Sequence, residues 1–158
     1  MLKQYIINNN FDLKEINIIN IEEDLTYEYI DDVMFVLNKY MYLGECNREY
    51  VYIITIDDKG KPNKIYLLNV GDSGHSNIDN QSLIKFLLLS NEKRFLVVHN
   101  HPNMILSASE DDLLFLNHID NISLLLNIKC IGNYIITIDG YYNIKTNETF
   151  MLNYDEYK

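Results

Sequence analysis

The stretch Phe95-Leu96-Val97-Val98-His99-Asn100-His101-Pro102-Asn103 runs from a continuous apolar segment into two histidines separated by one residue, then a proline. Arg94 to Val98 is a short apolar run of the kind that forms a strand buried on both faces. Side chains alternate along an extended chain, so His99 and His101 project to one face and Asn100 to the other. Pro102 reinforces this, because the residue before a proline avoids the helical region. Two imidazoles therefore stand side by side at the C-terminal end of a strand, where loops bring ligands to α/β folds. Only four histidines occur in the chain. The pair suits one divalent metal, with zinc the default for nitrogen and oxygen donors. Taken alone, such a pair is more often a half-exposed strand end with satisfied rings.

Downstream, six residues separate Pro102 from Ser109-Glu110-Asp111-Asp112, which open the Leu-rich segment SASEDDLLFLNHIDNISLLLN. Its apolar content and length predict a helix. With Ser109 as N-cap, Asp112 stands at the third helical position, where a reciprocal capping box is available, though Glu or Gln is usual there. Ser107 with Glu110 offers a rival box, so the helix start has two readings. Capping is a sufficient structural role for both Ser109 and Asp112. A carboxylate in the first helical turn, one short loop beyond two same-face histidines, can also supply a third ligand. Three ligands and a water make the open arrangement of a catalytic zinc.

Outward from this centre, YIDDVMFVLNKYMYLG (Tyr29 to Gly44) has a helical period and ends at a glycine. EYVYIITIDDKGKPNKIYLLNVG reads as two strands joined by a turn, GDSGHSNID as a loop, and DNQSLIKFLLLSNEKR as a helix capped by Asp79 or Asn80. IKCIGNYIITIDGYYNIK reads as strands broken near Gly132 and turned at Asp139-Gly140; EINIINIEED is the best strand candidate near the start. This order predicts an α/β (mixed α+β) sandwich with a central mixed sheet. The length of 158 residues suits one domain. The formal charge of −10, with no basic run, argues against nucleic acid as a partner. Cys46 and Cys130 have the spacing of neither a disulfide framework nor a zinc ribbon. Neither a signal peptide nor an apolar run of ~20 residues stands out, so a soluble cytoplasmic protein, with no membrane partner, is expected. The Asn-rich tract Asn8 to Asn10 carries no functional weight.

His-x-His-Pro, six residues, then Ser-x-x-Asp resembles the metal-binding motif of the JAB/MPN (JAMM) metallopeptidases, and VHNHP in particular the RadC-like branch. The likeness covers roughly Glu49 to Tyr142, with Tyr29 to Gly44 as the leading helix. It implies residues 29–158 as a single RadC-like JAB domain behind a 1–28 extension that packs on it, and a helix-flanked central sheet with cytidine-deaminase-like layering. The resemblance further implies zinc held by His99, His101 and Asp112, with Glu49 as general base and Ser109 hydrogen-bonding the oxyanion or the water. The reaction it implies is hydrolysis of a peptide or isopeptide bond in a peptide or protein substrate. Glu45 competes with Glu49 for the base; the first position of a strand favours Glu49. The chain departs from the branch pattern at Asn103 (HPNM for HPSG), at Gly132-Asn133 (for Asp-His) and at Asn77 to Gln81, where an Arg often starts the helix. His75 is a loop histidine of the kind usually solvated, His118 reads as surface or half-buried, and Cys46 as an ordinary thiol. Two further readings remain. A DNA-repair-associated accessory protein is disfavoured by charge and by the lack of a helix-hairpin-helix module. A catalytically silent JAB-fold binding module is disfavoured by the intact His99, His101, Ser109 and Asp112. A zinc deaminase lacks its His-x-Glu and Pro-Cys-x-x-Cys here.

Overall fold

In the computed structural model, which describes residues 1–71 and 79–157, eight strands make one mixed sheet. They are β1 (Leu2–Ile7), β2 (Leu13–Ile19), β3 (Glu49–Ile56), β4 (Pro62–Gly71), β5 (Arg94–Asn100), β6 (Lys129–Ile136), β7 (Gly140–Asn143) and β8 (Glu148–Met151). Their order across the sheet is β2-β1-β4-β3-β5-β6-β7-β8. The pairs β1–β4 and β5–β6 are parallel and the rest antiparallel. Three helices, α1 (Ile30–Met41), α2 (Asn80–Ser90) and α3 (Glu110–Leu126), cover it, with short 3-10 turns at Leu43–Glu45 and Tyr154–Tyr157. The mixed α/β architecture expected from the order of elements is what forms.

Alternation along the strands decides which helix lies on which face. Tyr52, Ile54 and Ile56 of β3, with Leu96 and Val98 of β5, pack against Val33, Met34 and Leu37 of α1. The intervening residues Val51, Ile53, Phe95 and Val97 meet Leu83, Phe86 and Leu87 of α2 and Phe115, Ile119 and Ile122 of α3. The sheet is thus the middle layer, with α1 on one side and α2 and α3 on the other. Each of these side chains, removed from water, contributes about 1.5–3 kcal/mol. His99 and His101 continue the register of Phe95 and Val97, so they face the α2/α3 layer, while Asn100 faces the α1 layer.

Several boundaries differ from those the sequence suggests. The helix from Tyr29 does not stop at Gly44: Tyr42 takes the left-handed conformation (φ 55°) and its N–H bonds back to the carbonyls of Asn38 and Leu37. Gly44 is instead required for space, since a Cβ there would lie 2.6 Å from backbone atoms of Thr137 and Ile138. No break occurs at Gly132; β6 runs through it and absorbs one extra residue, Ile131, as a bulge against β5. The first residues hold two strands. In the Asn-rich tract, the Asn8 carboxamide oxygen accepts from the N–H groups of Asn10 and Asp12 and builds the β1–β2 turn. Strand β8 lies beyond the strands that the sequence pattern suggests, and its four residues are all exposed. The loop containing His75 and the Asn77 and Ile78 positions lies outside the described residues. Among the described residues, no helix is long and apolar enough to cross a membrane.

Candidate metal centre

Antiparallel pairing of β3 and β5 ends at Val51 opposite His99, which brings the first residue of β3, Glu49, to the sheet end where β5 delivers its histidines. On the other flank β6 runs parallel to β5, and the His101 N–H donates to the Ile136 carbonyl at 3.2 Å. The chain then crosses a short loop and enters α3. Ser109 is the N-cap: its Oγ accepts from the Asp112 N–H at 3.1 Å, and the Ser109 N–H donates to Asp112 Oδ2 at 2.8 Å. The capping box therefore forms at Ser109, and the rival start at Ser107 does not.

That box aims the carboxylate. With Oδ2 tied to the N-terminus of α3, Asp112 Oδ1 lies 3.1 Å from His99 Nε2, and Oδ2 lies 3.2 Å from His101 Nε2. The two Nε2 atoms are 3.2 Å apart. His99 and Asp112 are 0% and 1% exposed. Glu49 Oε1 stands farther out, 3.9 Å from His99 Nε2. One donor atom from each of Glu49, His99, His101 and Asp112 falls within 4.8 Å of all the others. Buried acidic and imidazole groups are normally found together only as pairs or around a metal.

The donor set fits a divalent metal. His101 Nδ1 lies 2.8 Å from the Ile105 carbonyl, an acceptor only, so Nδ1 carries the proton and Nε2 presents its lone pair to the cluster. Metal–nitrogen and metal–oxygen bonds of 2.0–2.1 Å in a tetrahedron put neighbouring donors about 3.3 Å apart. The 3.2 Å between the two Nε2 atoms is close to that edge, as are the 3.1 Å from His99 Nε2 to Asp112 Oδ1 and the 3.2 Å from His101 Nε2 to Asp112 Oδ2, and the 3.9 Å from His99 to Glu49 exceeds it. Burial works against a charged His101 ring, but the Asp112 carboxylate and Ile105 carbonyl together outweigh it and hold its pKa above the usual histidine value.

The other candidates fall elsewhere. Glu45 is exposed in the 3-10 turn after α1 and is not part of the cluster. His118 is half-buried, with Nε2 2.5 Å from Asn80 Oδ1, and ties α3 to the start of α2. The Cys46 thiol donates to the Tyr42 carbonyl at 3.3 Å, and burial pushes its pKa up, so nothing activates it. Asn103 accepts from the Ile105 N–H at 3.0 Å. Sequence reasoning missed two contributors, the Ile105 carbonyl and the Asn100 side chain. A backbone carbonyl leaves no mark in sequence, and for Asn100 the only signal was its alternation away from the histidines.

Proteins with recognisable similarity include a UPF0758 protein of Coprothermobacter proteolyticus, 24% identical over 56% of this chain and 38% of that protein. Another from Thermotoga maritima is 26% identical over 62% of this chain and 44% of its own length. A third, from Streptococcus pyogenes, is 20% identical over 84% of this chain and 58% of its own. The chain thus spans between about two fifths and three fifths of these relatives. The family model for the RadC-like JAB domain matches residues 28–149, a span that holds Glu49, both histidines, Ser109 and Asp112. With most of its length matched in this way, the chain belongs to the RadC-like JAB domain family.

Proposed function

We propose that the protein is a zinc-dependent hydrolase of peptide or isopeptide bonds. The observation that carries this reading is the buried cluster: two imidazole nitrogens 3.2 Å apart, each with one oxygen of the Asp112 carboxylate at 3.1–3.2 Å, and a second carboxylate, Glu49, 3.9 Å from His99. His99, His101 and Asp112 would hold the ion. A divalent cation in that position polarises a carbonyl and acidifies water. Glu49, 3.9 Å from His99 Nε2, would take a proton from the attacking water and pass it to the leaving nitrogen. The Ser109 hydroxyl already accepts from Asp112 N–H, which leaves its own proton to donate to a developing oxyanion. The acidic balance of the chain gives no support to a nucleic-acid role.

The test is metal analysis of purified protein followed by screening a quenched-fluorescence peptide library. About one zinc per chain is expected from the three-ligand set. Cleavage should disappear in Glu49→Gln while the zinc stays. A folded protein that takes up no zinc after reconstitution would be a binding module, with Ser109 and Asp112 acting only as a helix cap.

A further inference from the structure

Asn100 stands between the two histidines but points to the opposite face of the sheet, where it is 0% exposed. Its carboxamide is fully engaged with one segment of main chain. Oδ1 accepts from the Tyr50 N–H at 2.7 Å, and Nδ2 donates to the Arg48 carbonyl at 2.9 Å and more weakly to the Cys46 carbonyl at 3.4 Å. Two of these partners are the immediate neighbours of Glu49 on either side. The backbone register between β3 and β5 stops at Val51 opposite His99, so beyond that pair the Asn100 side chain takes over the holding of the incoming strand.

We infer that Asn100 is the positioning residue for Glu49: it locks the main chain on both sides of the carboxylate to the same strand that carries His99 and His101. The inference rests on the proposed metal centre and adds to it. In this arrangement one three-residue unit does two tasks, the outer residues binding the ion from one face of the sheet and the middle residue setting the distance to the base from the other. A carboxamide suits the role because it offers an acceptor and two donors in one rigid plane. Aspartate matches its shape but would turn an oxygen on the Arg48 and Cys46 carbonyls. A clamp that sets a reacting group within a fraction of an ångström acts on catalysis without touching substrate.

The test follows the Glu49 carboxyl carbon and the histidine ring nitrogens by NMR in protein labelled at glutamate and histidine, with Glu49 assigned by comparison with Glu49→Gln, as zinc is added to metal-stripped protein. Wild type should show a zinc-dependent shift of this signal. In Asn100→Ala and Asn100→Asp the shift should be lost, while zinc stoichiometry and the response of the His99 and His101 ring nitrogens persist. Leu96→Ala, which opens a cavity on the same face of the same strand, serves as the control for general loosening and should keep the Glu49 shift. Retention of the shift in both Asn100 variants would overturn the proposal and leave the metal centre standing, as would its equal loss in Leu96→Ala. If Asn100→Ala does not fold, Asn100→Asp decides alone. A wild type with no zinc response at any of these nuclei would remove the metal reading itself, and the proposal with it.

Discussion

Asp112 has two roles in this structure, and substitution can separate them. One is local: its carboxylate and the Ser109 hydroxyl cap α3 reciprocally. The other is to set its two oxygens beside the histidines, Oδ1 3.1 Å from His99 Nε2 and Oδ2 3.2 Å from His101 Nε2. Loss of a cap interaction costs about 1 kcal/mol. For a chain of 158 residues, with an unfolding entropy of about 0.33 kcal/mol/K, this lowers Tm by about 3 °C. Zinc at about 100 times its dissociation constant stabilises the folded state by about 2.7 kcal/mol, which on the same scale raises Tm by about 8 °C. Asp112→Asn keeps an amide oxygen for the Ser109 N–H but is a poor zinc ligand. Its metal-free Tm should stay close to wild type, and the zinc-induced rise should vanish. Ser109→Ala should do the reverse, losing about 3 °C by the cap argument and keeping the rise. Scanning calorimetry of chelator-stripped protein, with and without zinc, measures both quantities. A full zinc-induced rise in Asp112→Asn would refute the ligand role. Its loss in Ser109→Ala would show that the helix start, rather than the carboxylate, is what the metal needs.

Three further outcomes are expected. Gly44→Ala drives a methyl to 2.6 Å from the Thr137 and Ile138 backbone; strain of this kind costs about 1–3 kcal/mol, and an unchanged urea midpoint would show that the 3-10 turn yields freely. Asn133 is fully buried, with neither amide atom hydrogen-bonded, so Asn133→Leu should stabilise by about 1 kcal/mol; a clear loss of stability on the same denaturation curve would reveal a buried partner such as water. Burial pushes the Cys130 thiol up to about 11, so a thiol reagent at pH 8 should titrate Cys46 alone until the protein is unfolded. Because this acid is weakened by folding, its contribution is fully present below the ordinary thiol pKa and is lost as pH rises through about 11, a span of about 3 kcal/mol at most; stability that is flat across this range would contradict the burial of Cys130.

What could be read in advance depended on whether the signal was local. Alternation alone put His99 and His101 on one face and Asn100 on the other, because the strand period is independent of what lies around it. The N-caps of α3 and α2 were legible for the same reason to within a residue or two, Ser109 against Ser107 and Asp79 against Asn80, since each serves backbone groups three residues away. The end of α1 was misread because glycine is the usual left-handed residue, whereas here Tyr42, like Asn91 and Asn127 after the other two helices, takes that conformation and Gly44 answers to packing. Strands β1 and β8 lie toward the sheet's margins and are partly or wholly exposed, so their hydrophobic pattern is faint, whereas EINIINIEED marks β2 with its start two residues late. Glu49 could be preferred over Glu45 by strand position, but only the β3–β5 register brings it beside His99.

The side chains of the candidate cluster are each steadied by main chain, and the departures from the branch pattern make sense in that light. Asp112 is oriented by the Ser109 N–H, His101 by the Ile105 carbonyl, and the strand bearing Glu49 by Asn100 acting on two peptide groups beside it. The Ile105 carbonyl is itself placed by a turn in which Met104 is left-handed (φ 64°), its N–H bonds back to the His101 carbonyl, and the Ile105 N–H is taken by Asn103. Asn103 stands where the branch pattern has serine, and both residue types accept a backbone N–H two positions on. The replacement at Asn103 therefore leaves the support of His101 in place. The Gly132-Asn133 change sits in β6, with Asn133 opposite Val97 rather than opposite His99, so it alters the packing under α3 and not the cluster. A site whose geometry is held by peptide groups tolerates such exchanges, because it needs the loop's conformation more than the identity of its side chains.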